Sequence, residues 1–240
     1  MSDSQTYCVL GAQSAIGNAW VQALAARPEV GTVHAFSRSG QAFEHPKVQP
    51  GTADVTDEES LRAAAEAVGV QVDGVLVATG ILHEGDSVQP ERSVRHLEEQ
   101  ALVRVLQVNT VGPTLVLKHF VPLLPRDRRC VVAALSARIG SISDNRLGGW
   151  YAYRASKAAL NMILRTASIE LKRRYPLSLV VGLHPGTVDS PLSLPFQSSV
   201  PEGKLFTPEY SANALLQVLD RLTPEDSGGC YAWDGSRIEP

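Results

Sequence analysis

The sequence predicts an α/β fold, a doubly wound parallel sheet with helices on both faces. Three observations predict it. Short apolar runs alternate with helix-like stretches along the chain. Those runs are continuous rather than alternating, as in Cys130-Val131-Val132-Ala133-Ala134, which marks strands buried on both sides. The chain has 240 residues, 44% of them apolar, which suits one core of this class. We therefore expect a single domain over residues 1–240 with about seven strands.

The elements follow in order. Tyr7 to Leu10 is the first strand, closed by Gly11, and Ala15 to Ala26 is a helix. Val33 to Phe36 is a second strand, and Val48 with its neighbours a third. Asp57 to Val68 is Ala-rich and helical, with Thr56 or Asp57 available as its cap. Val72 to Ala78 is a fourth strand. A long helical stretch runs from Ser93 to Leu124, which Pro113 and Pro122 should bend or end. Arg129 to Leu135 is a strand, Trp150 to Tyr175 a helix and Leu177 to Leu183 a strand. Pro208 to Leu222 is a helix, and Cys230 to Ala232 closes the sheet. The Pro/Ser-rich stretch Ser190 to Pro201 is flanked by fold elements, so it reads as a loop over a site rather than a domain boundary.

Composition excludes several classes. A net charge of -3 gives no support for nucleic-acid binding. No run of about 18 apolar residues is present, so no membrane span is expected. Met1 to Thr6 is short and polar, without the pattern of a signal peptide. The odd set Cys8, Cys130 and Cys230 shows no metal-ligand spacing and reads as free, buried thiols in a reducing compartment. These features together predict a cytoplasmic protein with no bound metal.

Gly11-Ala12-Gln13-Ser14-Ala15-Ile16-Gly17 joins the first strand to the first helix. Small residues there let the backbone approach a pyrophosphate, whose charge the helix N-terminus favours. Gly11, Ser14, Ile16 and Gly17 are the expected contacts. The second strand ends in Phe36-Ser37-Arg38, with no acidic residue for ribose hydroxyls and an arginine able to pair with a 2′-phosphate. That pattern favours NADP(H) over NAD(H). Asp54, before Val55, either accepts from an adenine amino group or caps the following helix.

Tyr153 and Lys157 are spaced i, i+4 on a predicted helix and so share one face. A nearby ammonium lowers a tyrosine pKa from about 10 toward working pH. Such a tyrosine exchanges a proton with an alcohol or carbonyl. Alone, this spacing is common on solvated helices.

The order of the parts raises its weight. The chain carries the glycine turn, Asp54-Val55, Asn109 on a helix, Ser136 at a strand end, Tyr153-Arg154-Ala155-Ser156-Lys157 and Pro185-Gly186-Thr187-Val188. In that order, over nearly its whole length, it resembles the short-chain dehydrogenase/reductase family. The segment from Gly140 to Arg154 is similar to the C-factor and sniffer-type carbonyl reductase branch. The resemblance implies a Rossmann-type fold and roles for particular residues. Tyr153 would be the general acid/base, and Lys157 would tune it and hold the nicotinamide ribose. Asn109 would anchor a relay water through its backbone carbonyl, and a serine would hydrogen-bond the substrate oxygen. Ala78, Thr79 and Gly80 would pass close to the cofactor, and Pro185, Gly186, Thr187 and Val188 would meet its nicotinamide end. A homodimer or homotetramer is implied by the same analogy.

Three departures stand against the family pattern. Ala15 occupies a usual glycine position. Val77-Ala78-Thr79-Gly80 replaces an Asn-Asn-Ala-Gly motif. The serine expected three residues before Gly140 is Ala137, while Ser136 lies one earlier, so a local bulge is needed to aim it inward. Ser136 is the chosen serine, with Ser141 and Ser143 as alternates.

Leu192, Leu194, Phe196 and Phe206 suggest that 190–206 forms a lid over a carbonyl or alcohol substrate with a hydrophobic body, or else packs on the sheet or a partner subunit. Arg146 and Trp150 either line the pocket mouth or pin the loop. The expected function is NADP(H)-dependent interconversion of a carbonyl compound and its alcohol. The alternatives are a C-factor-like nucleotide-binding regulator with little turnover and a sugar-nucleotide epimerase, which normally has a longer C-terminal substrate domain.

Overall fold

Continuous apolar runs become the centre of an eight-stranded sheet. The computed structural model describes residues 4–240, and the polar start at Met1–Asp3 lies outside the described residues. The strands are β1 (Gln5–Leu10), β2 (Val30–Ser37), β3 (Val48–Thr52), β4 (Gly74–Val77), β5 (Cys130–Leu135), β6 (Ser178–His184), β7 (Thr187–Val188), β8 (Leu205–Phe206), β9 (Cys230–Ala232) and β10 (Arg237–Ile238). The helices are α1 (Ala15–Ala25), α2 (Glu58–Val68), α3 (Glu99–Leu106), α4 (Gly112–Phe120), α5 (Tyr151–Leu171) and α6 (Pro208–Arg221).

The main sheet runs β10-β9-β6-β5-β4-β1-β2-β3. Its pairs are parallel except β9 with β10. The sequence led us to expect about seven strands, and the sheet has eight. The extra one, β10, has two residues, too few for any periodicity to declare it. Strands β7 and β8 pair separately.

Strand side chains alternate between two cores. Val9, Leu76, Val131 and Val181 face α1 and α6, with Trp20, Leu24, Leu215 and Leu219. Leu10, Val75, Val132 and Val180 face α2, α4 and α5, with Leu61, Phe120, Leu160 and Leu164. Each such large side chain, fully buried, stabilises the fold by about 2–3 kcal/mol. The cysteines behave as small hydrophobes: all three are free and buried. Among the described residues, no helix is long and apolar enough to cross a membrane.

One open alternative is settled and one expectation is corrected. The cap of α2 is Asp57, whose carboxylate accepts from the N–H groups of Glu59 and Ser60, because Thr56 is turned back onto Asp54. The stretch 93–124 is not one helix. A 3-10 turn at Val94–His96 precedes α3, a π-helical turn at Gln107–Val111 joins α3 to α4, and a second 3-10 turn at Val121–Leu123 follows. Pro113 has no N–H for the Asn109 carbonyl, so the chain widens to a π turn there instead of breaking.

Strand order reverses at β1 and β4. In an open parallel sheet this opens a crevice at the carboxyl ends of those strands.

Candidate active site

The glycine turn closes the first side of that crevice. Gly11 has φ +84°, and a Cβ there would stand 2.9 Å from Thr79 Cγ2. A Cβ on Gly17 would stand 2.2 Å from the Gly11 carbonyl oxygen. Both positions therefore require glycine, one for its backbone angle and both for space. The N–H groups of Gly11 and Ala12 both donate to the Phe36 carbonyl at 2.9 Å, and Ser14 caps α1 by accepting from Gly17 N–H.

The N-terminus of α1 thereby opens into a cavity of about 940 Å³. Gln13, Ser14, Ala15 and Ile16 form one wall, so Ala15 sits in the lining without closing it. Thr79 Oγ1 is buried in the same cavity without a hydrogen-bond partner. A tight glycine turn, a helix N-terminus and an orphaned hydroxyl are what a dinucleotide pyrophosphate and its ribose would satisfy, so the residues fit that group.

Arg38, Asp54 and Val55 lie outside the cavity lining, beyond the ends of β2 and β3. Arg38 is exposed, next to Ser37 Oγ, which accepts from Gly40 N–H at 3.1 Å. Burial pushes the Asp54 carboxyl up, but hydrogen bonds from Thr56 N–H and hydroxyl, with Arg38 and Arg104 beyond, hold it below the usual range. Val55 is core, packed so closely on Gly112 that a Cβ there would approach to 2.9 Å.

Tyr153 and Lys157 project from α5 into the cavity, with the Lys157 ammonium 5.7 Å from the centre of the Tyr153 ring. Lys157 Nζ donates to the Leu135 carbonyl at 2.8 Å. The expected lowering of the tyrosine is reversed in this arrangement. Burial pushes Tyr153 up to about 12, and burial, offset in part by Cys230, brings Lys157 down to about 8. The cause is burial, which disfavours both charged forms.

Asn109 is wholly buried in the π turn. Its side chain pairs with the Ile81 backbone in both directions, accepting from N–H at 2.7 Å and donating to C=O at 2.8 Å. It also donates to Ser156 Oγ at 3.1 Å, and Thr110 donates to the Ser156 carbonyl at 2.8 Å. The loop after β4 is thus braced from Asn109, whereas Thr79 Oγ1, the expected substitute for the missing Asn-Asn motif, makes no hydrogen bond. Ala78 and Gly80 line the cavity, as do Pro185, Gly186, Thr187 and Val188 from the other side of the crevice.

The serines separate clearly. Ser136 lines the cavity, but its hydroxyl donates to Asn161 Oδ1 at 2.6 Å. Ser141 and Ser143 are outside the lining: Ser141 Oγ accepts from Asp144 N–H, and Ser143 Oγ donates to the Pro240 carbonyl. Ala137 faces the cavity in extended backbone.

Two features of the site were not anticipated from sequence. Helix α5 has no local side-chain cap, since Trp150 precedes it at φ 52°. Glu91, 61 residues away and buried, accepts from Ala152 N–H through both carboxylate oxygens, while its own carbonyl accepts from Trp150 N–H at 2.6 Å. Its negative charge sits at the positive end of the helix that carries Tyr153. The pair Gly148-Gly149, both at positive φ, was the one local signal of that unusual helix start. The second feature is the contact that joins two residues expected at the pocket mouth and in the lid, Trp150 and Phe196, into one aromatic wall. Trp150 lies edge-on to Tyr153 at 6.4 Å and against Phe196 at 5.0 Å. Of the four apolar residues expected over the substrate, Leu192 and Phe196 face the cavity, Leu194 is exposed, and Phe206 packs on Trp233.

Comparison with known proteins agrees with this geometry. The family model described as short chain dehydrogenase matches residues 5–199. The chain is 32% identical over 238 residues to the 1-hydroxy-2-glutathionyl-2-methyl-3-butene dehydrogenase of Rhodococcus sp., covering 98% of this chain and 99% of that protein. The NADPH-bound carbonyl reductase from chicken fatty liver superposes with a TM-score of 0.85 at 25% identity, covering 99% of this chain and 94% of that one. The carbonyl reductase Sniffer of D. melanogaster shares the fold, with a TM-score of 0.85 at 22% identity over 99% of this chain and 100% of that one.

Proposed function

Because the chain belongs to the short chain dehydrogenase family and is an oxidoreductase, we propose that it interconverts a carbonyl compound and its alcohol with NADP(H), using Tyr153 as general acid/base. The observation that carries this reading is that Tyr153 and Lys157 enter the same cavity into which the N-terminus of α1 opens.

A bound nicotinamide supplies or accepts the hydride. Tyr153, held at about 12, is protonated at neutral pH and donates to the carbonyl oxygen during reduction. Lys157, charged below about 8, offsets the phenolate left behind. The Asn109 carbonyl, which Pro113 cannot bond, holds the water that returns a proton through Lys157. Ser136 holds the substrate oxygen after exchanging Asn161 for it; of the three serines considered it alone lines the cavity. Arg38, with Ser37 beside it and no acid on the strand end, selects the 2′-phosphate. Gly11, Ser14, Ile16 and Gly17 hold the pyrophosphate, Asp54 and Val55 the adenine end, and Ala78 to Gly80 with Pro185 to Val188 the nicotinamide end.

Segment 190–206 acts as a lid on a small-molecule substrate. Buried free thiols suit a cytoplasmic enzyme. The family analogy supports a homodimer or homotetramer.

The test is a fluorescence titration with NADPH and NADH, followed by absorbance assays on aldehydes, ketones and diketones. Tight NADPH binding with turnover is expected. NADPH binding without turnover on any carbonyl favours the regulatory reading. A preference for NADH removes the role of Arg38.

A further inference from the structure

Three arginines line the substrate end of the cavity. Arg154 is committed to the carbonyls of Gly149, Ile139 and Gly148. Arg138 approaches Asp144 at 3.4 Å, which also engages the one carboxylate in the lining. Arg146 has no hydrogen-bond or ion-pair partner among the described residues.

Arg146 is held where it stands. Asn145 Oδ1 accepts from Gly148 N–H at 3.1 Å, closing a turn with Arg146 and Leu147 at its tip. Ser143 ties the start of the loop to the Pro240 carbonyl through both N–H and hydroxyl, and Arg154 ties its end. Leu147 is 94% exposed and lines the same cavity. Beyond the tip the wall is Ile139, Trp150 and Phe196. A fixed turn therefore presents one guanidinium with unclaimed donors and one bare apolar side chain at the lining of the cavity that Tyr153 enters.

We infer that the substrate is a carbonyl compound with an apolar body and a terminal carboxylate, and that Arg146 binds the carboxylate while Leu147 and Phe196 cover the body. Of the three guanidiniums only that of Arg146 has its donors unclaimed, which suits one planar carboxylate, gripped through two parallel hydrogen bonds. Arg146 is thus a specificity-determining residue. The inference rests on the reductase reading above.

The experiment compares 4-carboxybenzaldehyde with its methyl ester, methyl 4-formylbenzoate, by NADPH oxidation in wild type, Arg146→Gln and Arg146→Lys. In wild type the acid should be preferred about tenfold in kcat/KM, through KM. Arg146→Gln should raise KM for the acid about tenfold and erase the preference. Arg146→Lys should restore part of it, and high salt should weaken it. Equal kcat/KM for acid and ester in wild type overturns the inference while leaving the reductase reading intact. So does an Arg146→Gln variant that harms both substrates equally, which would mark a loop-holding role. Failure of both, with failure of the whole carbonyl panel, overturns the reductase reading and this inference with it.

Discussion

The two ends of the cavity are built by different means. At the nucleotide end, close backbone packing does the work: Gly11, Gly17 and the Phe36 carbonyl meet within one strand–turn–helix unit and its neighbour. At the substrate end, side chains far apart in sequence do it. Glu91 caps α5, His83 reaches the Pro191 carbonyl at 3.1 Å, and Trp150 meets Phe196. A backbone cradle has one chemistry to serve and little room to vary. A wall of side chains is tunable, because each residue can be exchanged without moving the chain.

The largest expected effect is at Tyr153, where the two ends of the cavity meet. Tyr153→Phe should lower kcat about a thousandfold while NADPH affinity measured by fluorescence holds. A small loss would leave the proton-transfer role without support. At the nucleotide end, Gly17→Ala places a methyl 2.2 Å from a carbonyl oxygen. It should cost about 3 kcal/mol, or about a hundredfold in NADPH affinity. An unchanged dissociation constant would show that this cradle yields.

Glu91→Gln should remove the charge at the start of α5, costing about 1–2 kcal/mol by thermal denaturation. It should also lower kcat several-fold with NADPH affinity intact; the reverse split would place Glu91 in the wrong half of the comparison. The pH profile sharpens it further. Lys157 sits below its ordinary value, so its ammonium is present below about pH 8 and lost above it. The rate of reduction should therefore fall above about pH 8, and Lys157→Arg should move that fall to higher pH. The smallest effect belongs to the tunable wall. Phe196→Ala should change KM for an aromatic aldehyde only a few-fold, with kcat and NADPH binding near wild type.

Much of this was legible beforehand, for physical reasons that differ by residue. The strands could be read because parallel strands are buried on both faces and need continuous apolar runs, as in Cys130–Leu135. The strand β10 escaped because two residues carry no period. The π turn at Gln107–Val111 escaped because a proline announces a disruption without saying how the chain absorbs it. The sequence leaves the cap of α2 open between Thr56 and Asp57, because a hydroxyl and a carboxylate stand side by side; the structure decides it, since Thr56 donates to Asp54.

The sequence by itself determined the α/β class, the glycine turn after β1, and the placing of Tyr153 and Lys157 on one helix face, because each depends on residues within a few positions of one another. Tertiary structure alone decided that Glu91 starts α5, that Ser136 turns to Asn161, and that burial raises Tyr153. Those outcomes depend on which side chains distant in sequence meet in the fold, and local spacing does not encode such meetings.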